Sequence, residues 1–389
     1  MKPINIYQPE LGNEELNAIK QVFDSNWLGY GRQGTRQTEF VNLFANKIIT
    51  ETFEGMGYSL SNTENLITIS CCTEALFQSV QSYISPGDEV IIPTIGFVAA
   101  ANAVIAHGGT PIFCDVNQHT LNVELDHIKD KVTNKTKAII VMHFAGVPCD
   151  IERITKFCSQ HNIRVIEDNA NSPFSRINMK NTGTFGDVGL WSFDPMKVIT
   201  TGDGGMIYSE DKKILQDIKY RTYLGLKGSA KSNPVDNKWW EFDIESPGSK
   251  ATMNDISAAI GIEQLKKSDS FLKRRQSIHE LYTKELSKLD WITTPLDIPK
   301  GITSSYYMYH IQLTDESTRN ELSKYLRSYD IYTTFRYYPL HWVKYYNSKI
   351  VLPNAEYAAN HTLCIPIHQS LTDNDVDRIL SAIKEFKQI

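Results

Sequence analysis

Asp168 and Lys197 are the side chains whose neighbours best equip them to do chemistry together. Asp168 closes Val165-Ile166-Glu167-Asp168, and Lys197 follows Trp191-Ser192-Phe193-Asp194-Pro195-Met196. Each apolar run reads as a buried strand, which puts both residues at strand carboxyl ends, where open α/β sheets bind ligands. A buried carboxylate beside a pyridinium keeps both groups ionised. A lysine near the same ring can form a Schiff base with an aldehyde and, once released, shuttle a proton at the substrate carbon. Pyridoxal phosphate chemistry requires that pair. Singly they say little, because a strand-end aspartate often just caps a turn and most lysines sit in water. What adds weight is Thr200-Thr201-Gly202-Asp203-Gly204-Gly205 just beyond the lysine, a turn that allows close backbone approach. A dinucleotide loop is the rival reading of that turn. It fails because Met206-Ile207-Tyr208 follows as a strand, whereas that fingerprint must open a helix.

A phosphate needs an anion site, and Ser70-Cys71-Cys72-Thr73-Glu74-Ala75-Leu76 offers one. Thr73 reads as the N-cap of a helix, with the N–H groups of Cys72 and Thr73 facing outward and the Thr73 hydroxyl as a further donor. Ser192 supplies a second hydroxyl from the lysine strand. Phe97 lies just past another strand and is placed to cover a cofactor ring, although a lone aromatic there is more often core.

The elements that must hold these residues follow from periodicity. Between about residues 60 and 210, strand-like runs at 88–93, 111–116, 137–143 and 164–168 alternate with helical patterns at 73–84, 97–107, 123–132 and 150–161. Such alternation predicts βαβ units and a mainly parallel sheet, an α/β fold. Two further strands are expected at 188–193 and 206–209. A Lys- and Glu-rich helix at 256–289 then leads to a small C-terminal α+β lobe with a strand at 306–313 and helices at 317–329 and 373–386. The expected division is a large domain, 1–255, carrying an N-terminal helix at 13–23, and a small one, 256–389.

Composition excludes several classes. The chain has 389 residues, 41% hydrophobic and 22% charged, with a net charge of -5, which suits a globular protein with a substantial core. Without a basic run, nucleic acid and anionic membrane are poor partners. The longest apolar stretches are too short to span a bilayer, and the N-terminus lacks a signal-peptide core, so a cytoplasmic location is expected. Six scattered cysteines, with no C-x-x-C or H-E-x-x-H, give neither a disulfide framework nor a metal site.

Assembled in this order, the residues make the chain resemble the DegT/DnrJ/EryC1/StrS family of sugar aminotransferases, within the fold-type I pyridoxal phosphate enzymes. The likeness runs from Tyr7-Gln8-Pro9 and Asn26-Trp27-Leu28-Gly29-Tyr30-Gly31 through His143, Gly146 and Glu167-Asp168. It continues over Ser192-Phe193 to Lys197, the Gly-rich turn, Asn254-Asp255-Ile256 and Tyr337-Tyr338-Pro339-Leu340-His341. It implies that Lys197 binds the cofactor aldehyde, Asp168 the pyridine nitrogen, and Thr73 and Ser192 the phosphate. It also implies a homodimer with shared sites, in which Lys250 reaches the neighbouring subunit's phosphate. The implied reaction moves an amino group from L-glutamate or glutamine to a keto carbon, C4 rather than C3, of a nucleotide-linked 6-deoxy sugar, with pyridoxamine phosphate as the intermediate form. Trp27, Tyr30, Arg32, Trp239, Trp240, Arg336 and Tyr337 are candidates to contact that substrate. Three positions depart from the pattern: Cys72 replaces a usual Gly, Asn171 a Gln or His against the cofactor, and Asp194 a His or aromatic. A sugar dehydratase of the same fold, which carries His in place of the lysine, and a catalytically silent binding protein are the alternatives; the presence of Lys197 and Asp168 speaks against both.

Overall fold

The computed structural model describes residues 2–29, 34–50, 62–227 and 242–386. Strands β1 (Leu66–Ile69), β2 (Glu89–Pro93), β3 (Thr110–Cys114), β4 (Thr136–Met142) and β5 (Arg164–Asp168) come first, followed by the short β6 (Arg176–Ile177) and β7 (Lys180–Asn181), then β8 (Val188–Ser192) and β9 (Gly205–Tyr208). Seven of these form one sheet in the order β1-β9-β8-β5-β4-β2-β3. The pairs among β3, β2, β4, β5 and β8 are parallel, and β9 alone runs against its neighbours.

Alternate side chains of the central strands feed two cores, as a pleated strand covered on both faces must. Val90, Ile92, Ala138, Ile140 and Ile166 join the core beneath helices Cys72–Gln81 and Val98–Ala106. Ile91, Ile139, Val141 and Val165 join the other, against helix Ile151–Gln160. The expected α/β fold with a mainly parallel sheet is therefore present, and the strand at 88–93 begins at Glu89.

Helix Asp255–Leu286 carries the chain to the second region and belongs to both. Its Ala258, Ile262, Leu265 and Phe271 pack in the first core, while Ile278, Tyr282 and Leu286 pack in the second. There β10 (Ile292–Thr293), β12 (Tyr309–Leu313) and β13 (Thr362–Ile365) form an antiparallel sheet, and β11 (Ile302–Thr303) pairs with β6. Helices Glu316–Ser328 and Asp373–Glu385 cover that sheet through Leu322, Leu326, Val376, Ile379 and Ile383. Ile4 is buried in the same core and exchanges backbone bonds with Asp330 and Tyr332, so the first residues of the chain pack on the C-terminal lobe. Among the described residues no helix is long and apolar enough to cross a membrane.

Candidate active site

Strand register gathers the site. Gly205 of β9 pairs with both Ile69 and Ser192, so the turn leaving β1 and the turn leaving β8 lie side by side. Only a residue without a side chain fits between them, since a Cβ on Gly205 would stand 3.0 Å from the Cys72 amide nitrogen. Met142 pairs with Asp168 at the carboxyl ends of β4 and β5. Cys72, Thr73, Phe97, Met142, Asp168, Ser192, Lys197, Arg336 and Tyr337 accordingly line one cavity of about 220 Å³.

Lys197 is held from below. Phe193, Val198 and Ile199 are fully buried around it, and the Lys197 N–H donates to the Asp194 carbonyl at 2.9 Å. Its side chain is 9% exposed, so it is no solvated lysine. Nζ donates to Asn171 Oδ1 at 3.3 Å and lies 4.8 Å from the Tyr307 ring centre. Burial works against the ammonium charge, but the Tyr307 and Tyr337 phenols and the Asp168 carboxylate outweigh it and hold the pKa above the ordinary lysine range. The same Asn171 oxygen accepts from the Tyr337 hydroxyl at 3.2 Å.

Asp168 is 5% exposed, and its Oδ1 accepts from the Ala170 N–H at 2.9 Å. Burial pushes its carboxyl up, while that hydrogen bond, Lys197 and His143 pull the other way. Behind it Glu167 anchors the strand end. Its carboxylate accepts from the N–H groups of Gly183 at 2.9 Å, Phe185 at 2.7 Å and Gly186, and it meets His143 Nε2 at 3.2 Å. The Cys149 N–H donates to His143 Nδ1 at 3.2 Å, which leaves Nε2 to carry the proton toward Glu167. Among the described residues no group of three or more His, Cys, Asp or Glu could hold a metal ion.

The model of the DegT/DnrJ/EryC1/StrS aminotransferase family matches residues 9–384. The chain belongs to that family. It is 39% identical over 380 residues to a dTDP-4-dehydro-2,3,6-trideoxy-D-glucose 4-aminotransferase of Saccharopolyspora spinosa, covering 96% of this chain and 94% of that one. The aminotransferase TlmJ of Streptoalloteichus hindustanus superimposes with a TM-score of 0.91 at 39% identity, covering 100% of this chain and 99% of the other. The sugar aminotransferase Spr1654 of Streptococcus pneumoniae, solved in a PLP-form, shares the fold at 23% identity with a TM-score of 0.85, covering 100% and 99% of the two chains.

In this aminotransferase the turn expected to hold a phosphate differs in one detail from the sequence expectation. The helix starts at Cys72, and Cys71 is its cap, its sulfur accepting from the Glu74 N–H at 3.4 Å. Thr73 is therefore the second helical residue. The first N–H groups of a helix have no intrahelical partner, so those of Cys72 and Thr73 still face out of its positive end. Burial pushes the Cys72 thiol well above its ordinary range, making it a small neutral wall. Phe97 is 49% exposed, with its ring centre 6.0 Å from that of Tyr337. Asn171 is fully buried behind Lys197 rather than in the cavity wall.

Two candidates stand apart. Lys250 and Trp27 are exposed and do not line the cavity of their own chain. Tyr30, Arg32, Trp239 and Trp240 lie outside the described residues. Met142, Asp194, Met196 and Asp203 line the cavity without having been read as cofactor or substrate residues, and Tyr7 stacks on Tyr307 at 5.2 Å beneath it. Tyr7 belongs to a stretch that carries the family likeness, but nothing local marks Tyr307, and only the fold brings the two rings together beside Lys197.

Pyridoxal phosphate fits this donor set. A helix N-terminus with two hydroxyls suits a phosphate, a buried carboxylate suits a protonated pyridine, and a buried lysine on the same cavity suits an aldehyde.

Proposed function

We propose that this enzyme transfers an amino group from L-glutamate to the C4 keto carbon of a nucleotide-linked 6-deoxy sugar, using pyridoxal phosphate. The observation that carries the reading is the convergence of Lys197 and Asp168 on one cavity at the N-terminus of helix Cys72–Gln81. The C4 preference is supported by the 4-aminotransferase named among the relatives.

Bound there, the cofactor supplies an electrophilic carbon and an electron sink for the carbanion that forms when a substrate loses a proton. The chain supplies the rest. The Cys72 and Thr73 N–H groups, the Thr73 hydroxyl and Ser192 hold the phosphate. Asp168 keeps the pyridine nitrogen protonated, and Phe97 and Met142 wall the ring. The Lys197 amine would carry the proton to and from the substrate carbon. Asn171 steadies Lys197 through its amide oxygen, and Tyr337 braces that amide.

The active form in this reading is a homodimer with shared sites. Charge supports it: among the described residues the cavity of one chain carries Asp168, Asp194 and Asp203 against Lys197 and Arg336, before any phosphate arrives. Lys250, exposed on its own chain, is the cation assigned to the partner's phosphate. The deciding experiment is the visible spectrum of the purified enzyme before and after L-glutamate. A yellow band that bleaches supports the reading; no band even with added pyridoxal phosphate overturns it in favour of a silent binding protein.

A further inference from the structure

A lysine amine rides on a flexible stem, yet to carry a proton it must return to one place beside one carbon. Among the described residues the Lys197 Nζ makes a single hydrogen bond, to Asn171 Oδ1 at a long 3.3 Å. Asp168, Tyr337 and the Cys72 thiol act on it through space. Its other near neighbour is the face of Tyr307, whose ring centre lies 4.8 Å from Nζ. A ring face attracts a cation through its quadrupole, most strongly where water is excluded, and Lys197 is buried.

Tyr307 is itself tightly held. It is fully buried, its N–H donates to the Ala145 carbonyl at 3.0 Å, and its own carbonyl accepts from Arg275 Nη1 at 3.2 Å. The Tyr7 ring stacks on it at 5.2 Å with an interplanar angle of 10°. Tyr7 in turn has the Arg336 guanidinium 4.9 Å from its centre, so the stacked pair offers ring faces to two cations of one cavity. The Tyr307 hydroxyl has no hydrogen-bond partner among the described residues, so it is the ring that meets Lys197. We propose that Tyr307 is a positioning residue: its ring, together with the Asn171 amide oxygen, seats the free amine of Lys197 for proton transfer, and Tyr7 keeps that ring from turning. The catalytic half of the proposal rests on the aminotransferase reading.

The test compares Tyr307→Leu, which removes the ring, with Tyr307→Phe, which removes only the hydroxyl. Protons above an aromatic face shift upfield, so NMR of carbon-13 lysine-labelled enzyme loaded with pyridoxamine phosphate reads where the side chain lies. The Lys197 Cε protons, assigned with Lys197→Arg, should be shifted upfield in wild type and Tyr307→Phe and should lose that shift in Tyr307→Leu. Single-turnover rates of the pyridoxal phosphate form with L-glutamate, which do not depend on the fraction folded, should fall roughly 10- to 100-fold in Tyr307→Leu and stay within about 3-fold in Tyr307→Phe. The isotope effect with α-deuterated glutamate should grow in Tyr307→Leu, whereas a merely structural role would leave it unchanged. No upfield shift in wild type, a Tyr307→Leu rate within about 2-fold of wild type, or an equal loss in Tyr307→Phe overturns the seat. A wild type that converts no amino acid would sink the aminotransferase reading instead. In that case, or if Tyr307→Leu does not fold, the wild-type ring shift still decides whether Tyr307 seats the lysine.

Discussion

At the carboxyl edge of the seven-stranded sheet, Asp168, Lys197 and the His143–Glu167 pair are buried, each beside a group of complementary charge or a hydrogen-bond donor. The C-terminal lobe buries polar groups as well, but in a different state. His279, His310 and His368 are each pulled down to about 4 by burial and stay neutral. Arg275, 1% exposed, has the Gln369 amide oxygen and the carbonyls of Tyr306, Tyr307 and Ile367 as partners, at 3.0 to 3.3 Å. The first region keeps charge where a ligand can use it. The second uses polar groups as ties between elements. Changes in the first should therefore cost turnover, and changes in the second should cost stability.

The largest effect belongs to the lysine. Lys197→Ala should lower kcat by at least about 10⁴-fold, with the urea midpoint little changed, because it removes both attachment and proton carrier. Loss of fold alongside activity would erase the contrast. Asp168→Asn should follow, at roughly 100-fold or more, since an amide cannot hold the pyridine nitrogen charged; near-wild-type rates would refute its role. Its apoprotein should also outlast the wild type at neutral pH. Burial raises the folded carboxyl's pKa, so the wild-type contribution is favourable only below the ordinary aspartate range and is lost as pH rises.

Arg275→Met tests the other side. Stranding its carbonyl partners should cost about 3 kcal/mol by urea denaturation, while the fraction that remains folded keeps a wild-type spectrum with cofactor. Acid provides a milder probe. Unfolded imidazoles titrate near 6.5, whereas the three lobe histidines resist protonation until about 4. Stability from them is present above about pH 6.5 and drains away between there and about pH 4. Fluorescence of Trp291, which packs on Phe386 in the lobe, should report loosening before the cofactor band is lost. Simultaneous loss would mean that the long helix couples both regions into one unit. Smallest is Lys250→Ala, expected to weaken cofactor retention by about 10-fold or less. Mixed dimers of Lys197→Ala and Lys250→Ala chains should regain activity if sites are shared, and stay inactive if each chain serves itself.

Much of the large sheet was legible because its strands are apolar runs between helical patterns; Asp168 ends one such run and Lys197 follows another. The reading slipped where local signals were thin. β1 is four residues long, and helix Thr35–Ala45 opens without a side-chain cap. Thr73 outranks cysteine as a cap on propensity, yet Cys71 takes that place because the pairing of Ile69 with Gly205 sets where β1 must end. Tyr7, Tyr307 and Arg336 bear on Lys197 or its cavity from more than 100 residues away and Asn171 from 26, and no periodicity links them.

By itself, then, the order of residues determined the fold class, the reactive pair and the family, because strand-end carboxylate, lysine and glycine turn are local patterns with fixed chemistry. Tertiary structure decided that Tyr7 stacks on Tyr307 beside Lys197, that Asn171 sits behind the lysine, and that Ile4 completes the C-terminal core. Those are facts of convergence, and distance in space is not written along a chain whose loop-closure entropy rises only slowly with length.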